Sequence, residues 1–156
     1  MIALSNITLQ SESSVVTFSN IPQNYRDLIL VVDGNVTGSL NARLRFNGDA
    51  GSNYSFVSAA GNNNNTPYST TGTITFVNPS PDFGINTQFD NQFQIMDYSA
   101  TDKHKTILIR HGMSAQSPNM VAARWASTNA ITSLEFSSSA NLYSSGSRFS
   151  LYGRIA

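Results

Sequence analysis

Cysteine is absent from the 156 residues of the sequence, and histidine is almost absent. The first absence excludes disulfides, thiolate metal ligands and cysteine nucleophiles. The two histidines, His104 and His111, stand at an odd spacing, so on one strand they would point to opposite faces, and neither belongs to a metal-binding motif. We therefore predict two ordinary histidines near the ends of strands, with no metal or other cofactor.

Charged side chains are also scarce, at 12% of the residues, and they sum to a net charge of zero. Nucleic acids and anionic membranes bind proteins through a basic excess, so neither is predicted as a partner. The longest apolar run, residues 28–32, is far shorter than the roughly 20 residues of a membrane-spanning helix. The first residues lack the basic flank of a signal peptide, which predicts a protein made in the cytoplasm.

Hydroxyl, amide and aromatic side chains are abundant instead. Ser, Asn and Thr make up about a third of the chain, and nine Phe and six Tyr contribute to a hydrophobic fraction of 40%. A chain of this length buries roughly two-thirds of the surface that it exposes when unfolded, so it can build a core without disulfides or metal. No linker or internal repeat interrupts it. The sequence therefore predicts one domain over residues 1–156.

Alternating apolar and polar residues, typical of strands with one buried face, recur along the chain. The pattern is clear in residues 40–46 and 149–155, and a third instance lies near residues 131–136. The side chains predicted to share a buried face in the first two are Leu40, Ala42, Leu44, Phe46, Phe149, Leu151 and Ile155. Residues 27–33 and 106–111 are predicted to be more fully buried strands.

Weaker strand patterns lie between turn-forming residues. They cover residues 2–9, 13–18, 54–58, 72–77, 88–97 and 120–126. Residues 118–128 could also form a helix, but we favour a strand because Trp125 leads directly towards Ile131. About ten short strands with no long helix predict an all-β fold, either a sandwich or a barrel.

Two stretches lack strand patterning and are predicted to be exposed loops. The first, residues 59–72, is rich in asparagine, and the second covers residues 78–88. The residues predicted to contact a partner lie in these loops: Asn62, Asn63, Asn64, Asn65, Tyr68, Asp82 and Phe83.

Aromatic residues could fill the core or line a contact with a carbohydrate or a protein. We predict that Phe56, Trp125 and Phe149 belong to the core and that Tyr68 is exposed. Both interpretations stay open for the other candidates: Tyr54, Tyr98, Tyr143 and Tyr152.

Residues 47–53 place oxygen-bearing side chains at alternate positions, as calcium loops do, but they offer one carboxylate, Asp49, where calcium needs several. We favour a turn in which Gly48 and Gly51 permit positive φ while Asp49 and Asn53 bond to the local backbone.

Most of the nine acidic residues flank turns and no motif marks any of them as buried, so the carboxylate pair of a glycosidase is not indicated. No nucleophile-elbow or phosphate-binding motif occurs. The sequence therefore predicts a protein that is not an enzyme.

Five segments of the sequence, taken in order, resemble a known family. They are residues 15–28, 45–55, 96–106, 124–134 and 146–153, and the more specific pieces read RFNGDAGSNY and GSRFSLYG. Over nearly its whole length the chain is similar to small virion proteins of tailed bacteriophages. These proteins occur as capsid decoration (cement) proteins and as tail or fibre components.

The resemblance implies a jelly-roll-like antiparallel β-sandwich that is commonly trimeric and has no catalytic activity. The leading hypothesis is a decoration protein that binds the outer surface of the major capsid shell and stabilises it, on a virion assembled in the host cytoplasm. The compact chain favours this role, because fibre proteins carry long shafts. The alternative is a tail-fibre or receptor-binding tip whose loops, residues 59–72 and 78–88, contact host-surface glycan. A glycan depolymerase with a facing carboxylate pair, or a lectin-like module outside any virus, are further hypotheses.

Overall fold

A computed structural model describes residues 1–38, 42–61, 67–78, 88–113, 116–138 and 142–155. These residues form eleven strands and no helix. The strands are β1 (Ile2–Thr8), β2 (Val15–Phe18), β3 (Asp27–Asn35), β4 (Ala42–Phe46), β5 (Tyr54–Gly61), β6 (Pro67–Ile74), β7 (Gln88–Met96), β8 (Lys105–Met113), β9 (Gln116–Trp125), β10 (Leu134–Ser138) and β11 (Arg148–Arg154).

The strands form two antiparallel sheets packed as a sandwich, so the all-β sandwich predicted from the sequence is confirmed. The large sheet has eight strands in the order β1-β11-β3-β7-β8-β9-β5-β6, and the small sheet has three in the order β2-β10-β4. We call the face that each sheet turns towards the other its inner face, and the opposite face its outer face. The fully buried aromatic residues lie between the two inner faces.

The first and last strands pair with each other. β1 pairs with β11 in a register that sets Ile2 opposite Gly153, and β2 pairs with β10. A jelly roll divides eight strands between two sheets. Here the large sheet alone has eight strands, because β8, β9, β5 and β6 continue it beyond β7. The jelly-roll arrangement therefore stays a prediction.

Side-chain alternation builds the core as the sequence predicts. In β4, Ala42, Leu44 and Phe46 are fully buried, while the arginines between them are half-buried. β7 alternates along its whole length, and β3 is buried on both faces over most of its length, as predicted for residues 27–33. Trp125 ends β9, which confirms a strand rather than a helix there, and both Trp125 and Phe149 lie in the core.

Aromatic rings join the two sheets near the centre of the core. The ring centroid of Phe136, on β10, lies 5.6 Å from that of Phe93 on β7 and 5.7 Å from that of Phe149 on β11. Tyr143, which follows β10, lies 5.4 Å from both Phe136 and Phe149. Centroid separations of about 4.5–7 Å are favourable for tilted rings. This aromatic cluster of four rings therefore holds the small sheet against β7 and β11.

The loop predicted over residues 59–72 is wrong for its described part. β5 continues to Gly61 and β6 begins at Pro67, and the two strands pair as an antiparallel hairpin. The β-branched threonines in the second half of this stretch favour a strand, so composition misled the prediction. Tyr68 lies opposite Ala60 in the hairpin, and its side chain is outside the described part. The other predicted contact residues are also outside it: Asn62, Asn63, Asn64, Asn65, Asp82 and Phe83.

Two smaller predictions, for Ile155 and for residues 106–111, are wrong, and the prediction that Phe56 belongs to the core holds only in part. Phe56 packs against the core but is only partly buried, and Ile155 is 61% exposed because β11 ends one residue before it. Asp27, although no motif marks it, is buried and accepts a hydrogen bond of 3.1 Å from the backbone N–H of Asp97. The strand predicted at residues 106–111 is not buried on both faces. Its exposed members are Thr106, Leu108 and Arg110.

Candidate docking face

Residues on the outer face of the large sheet form two straight rows across β7, β8, β9 and β5. The antiparallel registers set them side by side. The first row is Gln94, Leu108, Ala122 and Val57, and the second is Gln92, Arg110, Met120 and Ala59. We call these eight residues the docking face.

The centre of the docking face is apolar and open to solvent. Val57 is 45% exposed, Leu108 is 44% exposed and Met120 is 61% exposed, and these are three of the seven exposed large hydrophobic residues in the described part of the chain. Together with their neighbours they line a shallow concavity of about 350 Å³. Scattered apolar residues on a surface need no explanation, but a contiguous patch usually marks an interaction site.

The alternation of β8 explains why this patch exists. Ile107, Leu108 and Ile109 are three apolar residues in succession, and in a strand the middle one must point to the opposite face from its neighbours. Ile107 and Ile109 take the inner face and are fully buried, which leaves Leu108 outside. Three consecutive apolar residues are therefore the sequence signal that could have identified the patch, but the prediction took them for a strand buried on both faces.

Charged residues of both signs lie around the docking face. Arg110 belongs to it and makes no ion pair with any described residue, and Arg124 extends the same face along β9. Towards the other end of the strands, Asp33 and Asp90 are exposed register partners on β3 and β7. Arg148 lies opposite Asp33 on β11. The face thus combines an aliphatic centre with a charged border, as protein interfaces do.

The residues considered for a calcium site form a closed hydrogen-bonded turn. Asp49 Oδ1 accepts from the backbone N–H of Gly51 at 2.8 Å, while Oδ2 accepts from Trp125 Nε1–H at 2.6 Å and from Asn53 Nδ2–H at 2.9 Å. Positive φ occurs at Gly48, as predicted, but the second such residue is Asn47 rather than Gly51. A cation would have to displace these N–H donors, so the geometry is that of a turn.

Asp49 also gives this turn a dependence on pH. Burial raises the pKa of its carboxyl, but the hydrogen bonds from Trp125, Asn53 and Gly51 outweigh burial, and the pKa falls below its ordinary value of 3.8. The stabilisation is therefore complete above that value and is lost as the pH falls through the lowered pKa of the folded state. We expect Asp49→Asn to lower the free energy of unfolding by about 1–2 kcal/mol near neutral pH.

Urea unfolding of the wild type and of Asp49→Asn at a series of pH values tests this expectation. The two curves should converge in acid, because both side chains are then neutral. A difference that stays constant from neutral pH into acid would contradict it.

The remaining titratable candidates do not converge on a catalytic centre. His104 is exposed just before β8, whereas His111 is buried on the inner face, with its Nδ1 atom 2.6 Å from Asn91 Oδ1. Burial lowers the pKa of His111 to about 4, so its imidazole is neutral near pH 7. Within the described residues no group of three or more histidine or acidic side chains could hold a metal ion.

The four tyrosines whose location the sequence does not settle divide between core and surface. Tyr54, Tyr98 and Tyr143 are fully buried, so they cannot contact a partner from solvent. Tyr152 is half-buried on the outer face, two strands from Gln94 of the docking face. The docking face itself contains no aromatic residue.

Comparison with known proteins gives no match: no protein-family model, curated protein or solved structure is similar to this chain. In the described part of the chain, no helix is long and apolar enough to cross a membrane.

Proposed function

We propose that the chain is a capsid decoration protein of a tailed bacteriophage, which binds the outer surface of the major capsid shell and stabilises it without catalysis. The observation that carries the proposal is the docking face, whose centre is an exposed aliphatic patch on the eight-stranded sheet. The resemblance of the sequence to phage virion proteins supplies the class of partner. The neutral, compact domain suits a protein that covers a shell in many copies.

Binding would bury Leu108, Met120 and Val57 against the capsid protein. Burying one large aliphatic side chain completely contributes about 1.5–3 kcal/mol, so three partly exposed ones give a contact of modest strength. Association as a homotrimer would present three docking faces to a symmetric shell. Linked contacts of this kind bind much more tightly than each one alone. Arg110, which has no partner in the described chain, would select an acidic group at the site.

The composition of the docking face favours a protein partner over a glycan. Aliphatic residues, methionine and arginine are common in protein interfaces, whereas a sugar ring usually stacks on an aromatic side chain. The centre of the docking face offers Leu108 and Met120 and no aromatic ring. This observation ranks the decoration role above the alternative of a tail-fibre tip that binds host glycan.

Capsid binding by a docking-face variant tests the proposal. We expect Leu108→Lys combined with Met120→Lys to weaken binding to capsids assembled without this protein on the order of 100-fold, because two charges replace buried apolar groups. Both side chains are exposed, so the fold should not change. The measurement is the number of copies bound per capsid in co-sedimentation, with cryo-electron microscopy of the decorated shells.

Thr17→Lys is the matched control, because it adds a charge at an exposed strand position on the outer face of the small sheet. It should bind like the wild type. Full binding by the docking-face variant would refute the assigned surface. A wild-type protein that binds host glycan and no capsid would refute the decoration role and support the tail-fibre alternative.

A further inference from the structure

Four polar side chains lie together on the inner face of the large sheet, where apolar residues are the rule. Asn91 on β7, His111 on β8 and Asn119 on β9 are register partners across three adjacent strands. Ser58, on β5, lies opposite Val121, two residues along β9 from Asn119. Asn91 is completely buried, and the other three are at least 96% buried. We call these four residues the polar row.

Three atoms of the polar row have no hydrogen-bond partner among the residues that the structure describes. They are Asn91 Nδ2, Asn119 Oδ1 and Ser58 Oγ. A buried polar atom without a partner costs about as much as a lost hydrogen bond, and native proteins contain only a few. Three such atoms within four successive strands of the sheet therefore indicate that something other than the chain completes their hydrogen bonds.

Turning over the Asn91 amide does not remove the problem. As placed, Asn91 Oδ1 lies 2.6 Å from His111 Nδ1 and Nδ2 is left over. Exchanging the two atoms would direct Nδ2 to the imidazole and leave Oδ1 as a buried acceptor without a partner. One atom of Asn91 needs an external partner in either orientation.

The chemistry of the polar row specifies the ligand. Asn91 offers an N–H donor, Asn119 offers a carbonyl acceptor, and the Ser58 hydroxyl can do either. A cation would be repelled by the N–H donor of Asn91, and an anion would be repelled by the carbonyl oxygen of Asn119. An apolar molecule would form a hydrogen bond with neither. Burial lowers the pKa of His111 and keeps its imidazole neutral near pH 7, so the polar row carries no charge that would need a counter-ion. A small neutral molecule that both donates and accepts suits each of the three atoms, and water has that chemistry.

We propose that the polar row is an internal hydration site, in which ordered water completes the hydrogen bonds of Asn91, Asn119 and Ser58. The site joins β5, β7, β8 and β9, the four strands that carry the docking face. The residues next to the polar row in the chain, Gln92, Arg110 and Met120, point to the opposite side of the same strands. Ordered water on the inner face would thus help to hold together the strands that carry the docking face.

Nuclear Overhauser measurements between water and side-chain amides test the proposal on the isolated protein, independently of any capsid. The amide protons of Asn91 are expected to show contacts to water that resides longer than the tumbling time of the protein. Asn53, whose amide bonds to Asp49 at the surface, is the control and should meet only short-lived water. No long-lived water at Asn91, or contacts there to carbon-bound protons of a co-purified compound, would overturn the proposal.

A pair of serine variants provides a second readout. Ser58→Ala is compared with Ser147→Ala, whose buried hydroxyl accepts from the Asn35 backbone N–H at 3.3 Å. If water binds Ser58, each variant loses a hydrogen-bonded hydroxyl and each melting temperature should fall by about 2–4 °C. In a dry site, Ser58→Ala would instead remove an unsatisfied group. A rise in its melting temperature would therefore refute the hydration site.

Discussion

Replacing Trp125 by alanine is expected to lower the free energy of unfolding by about 3–5 kcal/mol, the range for large buried aromatic residues. The indole is 2% exposed. Its ring lies 5.5 Å from that of Phe46 on the small sheet and 6.4 Å from that of Tyr54, with which it stacks. Truncation would open a cavity between the sheets and also remove the Nε1–H that Asp49 accepts.

Trp125→Phe separates packing from hydrogen bonding, because it keeps an aromatic ring and removes the N–H donor. We expect this variant to lose about 1–3 kcal/mol, mostly from the hydrogen bond that Asp49 Oδ2 no longer accepts. Equilibrium unfolding in urea, followed by far-ultraviolet circular dichroism, measures both variants. A loss below about 1 kcal/mol for Trp125→Ala would show that the indole does not contribute to the core in the way described.

Phe136→Ala is expected to destabilise the protein by a similar amount, about 3–5 kcal/mol. Phe136 is fully buried in the aromatic cluster, where it contacts Phe93, Tyr143 and Phe149 at centroid distances between 5.4 and 5.7 Å. These rings belong to both sheets. Their loss should therefore loosen the contact between the sheets rather than one strand alone.

Two variants calibrate this result. Phe136→Leu keeps most of the volume and should cost roughly half as much or less. Val15→Ala, on the neighbouring strand β2, alters a side chain that is 44% exposed and should change stability by less than about 0.5 kcal/mol. Thermal and urea unfolding of the three variants give the comparison. Equal losses for Phe136→Ala and Val15→Ala would contradict the position assigned to the aromatic cluster.

Much of the fold follows from alternation alone. Leu44 and Phe46 stand at alternate positions that are predicted to face the core, and both are buried. The same holds for Phe149 and Leu151. The largest error, at residues 59–72, came from composition rather than from alternation. The asparagine-rich stretch reads as a loop, although strand pairing extends on both sides of it to Gly61 and Pro67.

The candidate site was harder to predict, because its character depends on which strands become neighbours. Val57 is far from Leu108 and Met120 in the sequence, and each of the three is an ordinary strand residue. Only the order β8-β9-β5 makes them one patch. The same applies to Asn91 and Asn119, whose common burial arises from pairing each of their strands with β8. Local pattern predicts strands well, but the order of strands in the sheet is set by tertiary packing.

The pairing of Ile2 with Gly153 has a consequence for how the protein forms. Two segments separated by almost the whole chain must meet, and closing so large a loop costs more chain entropy than joining adjacent hairpins. Domains rich in such distant contacts fold slowly, on the scale of milliseconds to seconds or longer. During synthesis β1 stays unpaired until β11 has emerged from the ribosome. This late closure would leave the nascent protein prone to mispairing, and local hairpins such as β8 with β9 can assemble well before it.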